Sequence, residues 1–277
     1  MLRASPDGVQ FMPLSFTIDA RLFLEPSMNP AKPLLTAVIL TLTLAQAQTI
    51  RTGEDLLHAM HERYKDSWYG TVTFTQKSTT YKPDGSSSAE TWYEAALLPG
   101  KLRIDIGPAS DGNGYIFSDG YISVIKNNKV VANVKSFNML LVLGFDVYRQ
   151  DPEATIKIVK GEGYDLSKLR EDTWEEKPAY VVGADAGAVK SKQFWVAKDT
   201  LLFVREIEPA RNDPAKLDDI RFVHYQPLAG AWIAAGVEVY TDGKKVFSED
   251  YSEIQANVKL EPAIFDPEKF ASTHWRK

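Results

Sequence analysis

The stretch Trp92-Tyr93-Glu94-Ala95-Ala96-Leu97-Leu98-Pro99-Gly100-Lys101-Leu102-Arg103-Ile104-Asp105-Ile106, continued by Tyr115-Ile116-Phe117-Ser118-Asp119-Gly120-Tyr121-Ile122-Ser123-Val124-Ile125-Lys126-Asn127-Asn128-Lys129-Val130-Val131, decides the fold. The turn pairs Pro99-Gly100, Asp119-Gly120 and Asn127-Asn128 cut it into short runs of alternating polarity, which is how an antiparallel meander is written. Leu102, Ile104 and Ile106 share one face of a run, and Lys101, Arg103 and Asp105 share the other. Such a strand has a wet side and a side that must cover something apolar. That something is either the protein's own core or a guest.

Downstream, the period changes from two to about 3.6 near Phe137. Phe137, Leu140, Leu141, Gly144, Val147 and Tyr148 fall on one stripe, predicting a short apolar helix that ends before Asp151-Pro152. Its natural seat is the concave side of the sheet. Strands are then expected over Thr155 to Lys160, Lys168 to Thr173, Tyr180 to Ala184, Gln193 to Ala197, Leu201 to Ile207, Ile220 to Gln226, Ala231 to Tyr240 and Lys245 to Asn257. The tail around Pro262 and Pro267 is too proline-rich for a central strand.

Upstream of the meander, Thr52 and Glu54-Asp55 precede Leu56, Leu57, Met60 and Tyr64, predicting a helix from Gly53 to Lys65. His58 and His61 on its other face are too few for a closed metal site and read as a solvated polar face. Gly70 opens a strand carrying Val72, Phe74 and Gln76 on one side. Lys82 to Ser88 is a turn. Asp111-Gly112-Asn113-Gly114 lacks the later ligands of a calcium loop and the following helix of a phosphate cradle, so it reads as a hairpin loop.

The 277 residues, 44% hydrophobic and 25% charged, suit one large β domain. A formal net charge of −5 argues against nucleic acid as partner. The absence of cysteine excludes disulfides, thiolate metal sites, a cysteine nucleophile and a lipidated N-terminal cysteine. No G-x-S-x-G elbow occurs, and Glu175-Glu176 and Asp218-Asp219 read as solvated turns, so no enzyme is expected. Residues 1–27 read as an upstream extension. Met28, Lys32, the apolar run Leu34 to Leu44 and Ala45-Gln46-Ala47 then have the parts of a secretory signal peptide over 28–47, cleaved near Ala47. Residues 48–277 are left as a single domain.

The pieces together make an α+β chain that is mainly antiparallel β, an unclosed half-barrel of about ten or eleven strands beneath a helical lid. In their order and spacing they resemble the LolA family of periplasmic lipoprotein carriers and outer-membrane lipoprotein-sorting proteins. The residues that carry the resemblance are Gly70 with Phe74-Thr75-Gln76-Lys77, then Trp92, then Pro99-Gly100-Lys101-Leu102-Arg103, then Ser118-Asp119-Gly120, and finally Tyr251-Ser252-Glu253-Ile254 with Asn257, Leu260, Pro262 and Phe265. The resemblance implies a periplasmic monomer whose hydrophobic cavity holds lipoprotein acyl chains or phospholipid, with inner- and outer-membrane receptor proteins as partners and no cofactor. The candidate cavity residues are Phe74, Trp92, Leu102, Ile104, Phe117, Ile122, Val124, Phe137, Leu140, Leu141 and Phe203. Where the family has a lid-latching arginine this chain has Leu98, and the cavity-wall aromatic that follows is Leu102. That departure bears on the latch and on handover from an inner-membrane transporter. An RseB-like envelope-stress regulator using the same barrel is the alternative.

Overall fold

The computed structural model describes residues 49–210 and 213–276. The expected extension and signal peptide lie outside the described residues. Among the described residues, thirteen antiparallel strands form one sheet, where ten or eleven were expected. The first six are β1 (Thr71–Tyr81), β2 (Ser87–Leu97), β3 (Lys101–Ile106), β4 (Asn113–Ser118), β5 (Tyr121–Lys126) and β6 (Lys129–Lys135). The rest are β7 (Leu169–Trp174), β8 (Lys177–Val182), β9 (Gln193–Ala197), β10 (Phe203–Ala210), β11 (Asp213–Leu228), β12 (Ala231–Thr241) and β13 (Lys244–Ala256).

Their spatial order is β6-β5-β4-β3-β2-β1-β13-β12-β11-β10-β9-β8-β7. The chain therefore starts in the middle of the sheet and meanders out to one edge. Its helices carry it to the other edge, and a second meander brings it back until β13 pairs with β1, Val72 opposite Ala256 and Gln76 opposite Tyr251. The outermost strands β6 and β7 do not pair, so the barrel stays open.

The hairpins close through turns whose central residues both have positive φ, the geometry that matches strand twist: Asp119-Gly120, Asn127-Asn128, Glu175-Glu176 and Asp242-Gly243. Asp218 and Asp219, by contrast, lie inside β11, where Asp219 holds both Arg205 and Arg221. The expected turn there is corrected to a strand carrying an ion-pair network.

Among the described residues, three α-helices stand against the sheet. The first, α1 (Gly53–Tyr64), is capped by Thr52, whose hydroxyl accepts from the Asp55 N–H while Asp55 accepts from the Thr52 N–H. The apolar stripe near Phe137 forms only a short helix, α2 (Met139–Gly144), followed by a 3-10 turn at Asp146–Tyr148. Residues 155–160 are helical, not a strand: α3 spans Pro152–Gly161. Asp151 caps its first turn, proline occupies the position where a missing N–H costs nothing, and Thr155, Ile156 and Val159 turn inward at helical spacing. The alternating Ile-Lys-Ile that suggested a strand was overruled by these start signals.

The face expected to be wet is also covered. The C-terminal segment folds over the outer side of β2 to β5 through 3-10 turns at Pro262–Phe265 and Pro267–Lys269. Ile264 and Phe265 pack with Ala95, and Phe270 packs with Ile116 and Ile125. Beneath it Arg103, only 3% exposed, donates to both oxygens of Asp105 and to the Ile264 and Phe270 carbonyls. A buried charge is tolerable when it is paired and hydrogen-bonded in this way.

Candidate binding cavity

The inner face of β1 to β5 is set by the period of two. Val72 and Phe74 on β1, Trp92, Glu94 and Ala96 on β2, Leu102 and Ile104 on β3, Tyr115 and Phe117 on β4 and Ile122 on β5 all point the same way. Phe222 from β11 and Glu249 and Tyr251 from β13 continue that surface. Leu140 and Leu141 of α2, with Phe145 and Asn138 at its ends, form the roof. Asn138 fixes the start of the roof by accepting the Leu140 and Leu141 N–H groups. Gly144 fixes its end, since a Cβ there would run into the Phe222 ring. Between roof and sheet lies a cavity of about 400 Å³. Trp92, Tyr115, Phe117, Ile122 and Leu140 are only half-buried and mark where solvent reaches it.

Of the residues singled out from the sequence, Phe74, Trp92, Leu102, Ile104, Phe117, Ile122, Leu140 and Leu141 meet around this space. Three do not. Val124 pairs with Tyr115 one step farther along β5. Phe137 packs over Gly120 and lines a separate hollow of about 200 Å³ behind the lid. Phe203 is fully buried elsewhere, edge-on to Phe222 at 4.9 Å, with its N–H bonded to the Tyr148 hydroxyl.

The sequence reading missed the two acids. Glu94 is 6% exposed and lines the cavity, and among the described residues it has no hydrogen-bond or ion-pair partner. Burial, and the nearby Glu249, push its carboxyl well above the usual range. Burial raises Glu249 too, against the Tyr251 hydroxyl, which donates to it at 2.5 Å. Gln76, fully buried next to both strands, donates to Ser78 at 2.7 Å, and its amide oxygen has no partner. Strand alternation alone could have found both acids, since Glu94 lies two residues from Trp92 and Glu249 two from Tyr251.

Leu98, at the position of the family's latch, is buried at 5% exposure in the core and latches nothing by charge. The lid is tied to that loop differently. Asp146, just past α2, accepts the Gly100 N–H at 3.0 Å, and burial pushes its carboxyl up to about 7. A larger cleft, about 1450 Å³, opens on the opposite face beside the C-terminal segment. Its walls mix Thr75, Glu253 and Lys259 with Leu260, Phe270 and Trp275, a more polar lining than that of the hollow under α2.

No protein-family model and no curated sequence matches the chain. Solved structures do. A LolA superfamily protein from Nitrosomonas europaea superposes with a TM-score of 0.51 at 15% identity, over 76% of this chain and 96% of that one. A protein described as an outer membrane lipoprotein-sorting domain, from Vibrio parahaemolyticus, superposes with a TM-score of 0.52 at 13% identity, over 79% and 98%. At such identities the likeness establishes the fold, a LolA-like open half-barrel with a helical lid.

Proposed function

We propose that this chain is a non-enzymatic periplasmic carrier that shelters the acyl chain of a lipid or lipoprotein on its way towards the outer membrane. The observation that carries the reading is the 400 Å³ largely apolar hollow under α2, in a concave face whose other half is closely packed. Its size falls in the range of small-ligand sites. Each methylene moved from water into such a space gains about 0.8 kcal/mol, so a dozen contribute on the order of 10 kcal/mol before the costs of ordering the chain and lifting the lid. A roof of only six residues suits a carrier, which must also release its cargo. The sorting-domain neighbour and the signal-peptide pattern at 28–47 support the same reading.

The test is organic extraction of the purified protein followed by mass spectrometry, with Ile122→Trp as the partner variant that fills the hollow. Acyl lipid recovered from the wild type and lost from Ile122→Trp is the expected result. A wild type that carries no lipid and does not take up a fluorescent fatty-acyl probe would overturn the proposal.

A further inference from the structure

The polar groups of the cavity are out of balance. Glu94 and Glu249 stand together on its wall with no cationic side chain beside them. Glu249 accepts from the Tyr251 hydroxyl and is hydrogen-bonded by the Gln76 side chain, whereas Glu94 has no such partner. A buried carboxyl is costly to ionise unless it is paired, and Glu94 has no pairing side chain of its own. The missing component is a cation. Among the described residues, no lysine, arginine or histidine lines the cavity. A carboxylate or phosphate head would add a further acid to the pair, whereas an ammonium head would bring N–H donors and a positive charge that favours the ionised form of both carboxyls.

The surroundings suit a cation for a second reason. Phe74 and Tyr251 stack at 4.3 Å between centroids, and Trp92 stands 6.4 Å from Tyr115. All four rings line the cavity together with the two acids. Aromatic faces beside carboxylates are the arrangement that recognises organic ammonium groups.

We propose that Glu94 and Glu249 make this cavity selective for an amphiphile bearing an ammonium group, its alkyl chain under α2 and its N–H donors on the two carboxyls. The inference rests on the reading that the hollow takes an alkyl chain, and it adds which head group accompanies that chain. Two carboxyls in an apolar cleft also occur in hydrolases, but here the walls around them are hydrocarbon and aromatic apart from Asn138, whose side-chain oxygen is already used in capping α2.

The experiment titrates the delipidated full chain, near neutral pH and below micelle-forming concentrations, with dodecylamine, dodecanol and dodecanoic acid, read by calorimetry. The amine is expected to bind at least about tenfold more tightly than the acid. In the double variant Glu94→Gln, Glu249→Gln the amine should fall to within about threefold of the alcohol. Equal binding of amine and acid by the wild type overturns the inference without reference to any variant and leaves the cavity reading standing. An amine preference that survives in a folded double variant also overturns it. If none of the three binds, the cavity reading fails and this inference with it.

Discussion

The two halves of the concave face are made of the same sheet and the same alternation, yet one is solid and the other hollow. Over β8 to β12 the roof is α1 and α3. Leu56, Leu57, Met60, Val159, Phe194, Val196, Phe203 and Ile233 are all essentially inaccessible there. Trp68 lies 3.9 Å from Tyr148, and Tyr64 meets Tyr148 edge-on at 5.3 Å. The buried hydroxyls there find acceptors: Tyr64 donates to the Thr200 carbonyl, Tyr69 to that of Trp232, Tyr225 to that of Phe203, and Tyr164 to the Glu206 carboxylate. Over β1 to β5 the roof is the six-residue α2 alone, and large side chains on the sheet stand half-exposed around the gap. The difference lies in the roof, not in the strands. One half supplies the stability, which lets the other leave space for a guest.

The contrast is broken most directly by removing one large side chain from each half. Tyr148→Ala should destabilise by about 3–5 kcal/mol, because it opens a void in a packed aromatic cluster and strips the Phe203 N–H of its acceptor. Phe117→Ala should cost less than about 2 kcal/mol, since it widens a space that already exists. Urea unfolding of both variants measures the difference. Equal losses would mean that the two halves are packed alike.

Much of this contrast could be anticipated from the residues, but not its location. Asp119-Gly120, Asn127-Asn128 and Asp242-Gly243 gave the hairpins because positive φ at consecutive positions selects those residue types. Thr155 to Lys160 misled because β-branched alternation and helical spacing coincide over so short a run, and the start signal at Asp151-Pro152 was the better guide. Alternation places Phe203 and Phe117 equally well on an inner face. It says nothing of which roof lies above each, so Phe203 was assigned to the hollow and belongs to the packed half. The burial of Arg103 was beyond local reading, since its cover at Ile264 lies 161 residues farther on. Glu94 and Glu249 were legible by position but hidden by type, because charged residues are expected to face water.

The seat of the short roof offers the next test. Gly144 lets α2 approach the Phe222 ring, and an added methyl there would overlap it. Gly144→Ala should cost about 1–3 kcal/mol by overpacking, even though alanine is the better helix former. If the lid is what closes the hollow, the same variant should also speed exchange of a bound fluorescent fatty-acyl probe in stopped-flow displacement. A loss of stability with unchanged exchange would put the cavity's entrance elsewhere than at this end of α2.

The smallest effect concerns the joint between the lid and the hollow half, the Asp146 carboxyl on the Gly100 N–H. Its folded pKa is raised to about 7 from 3.8, chiefly by burial, with the Gly100 hydrogen bond acting in the opposite direction. The folded protein therefore takes up this proton as the pH falls through about 7, while the unfolded chain stays ionised until near 3.8. Stability should rise as the pH falls in that window, by about 1 kcal/mol between about pH 8 and about pH 6. Glu94 and Glu249, also raised, push the slope in the same direction. The informative quantity is thus the difference between wild type and Asp146→Asn, in which the amide oxygen still accepts the Gly100 N–H but no proton is exchanged. Denaturant midpoints across the window should climb less steeply in the variant as the pH falls. Parallel curves would show that the lid is joined to the hollow half without a titrating group, leaving the two carboxyls inside the cavity as the source of any slope.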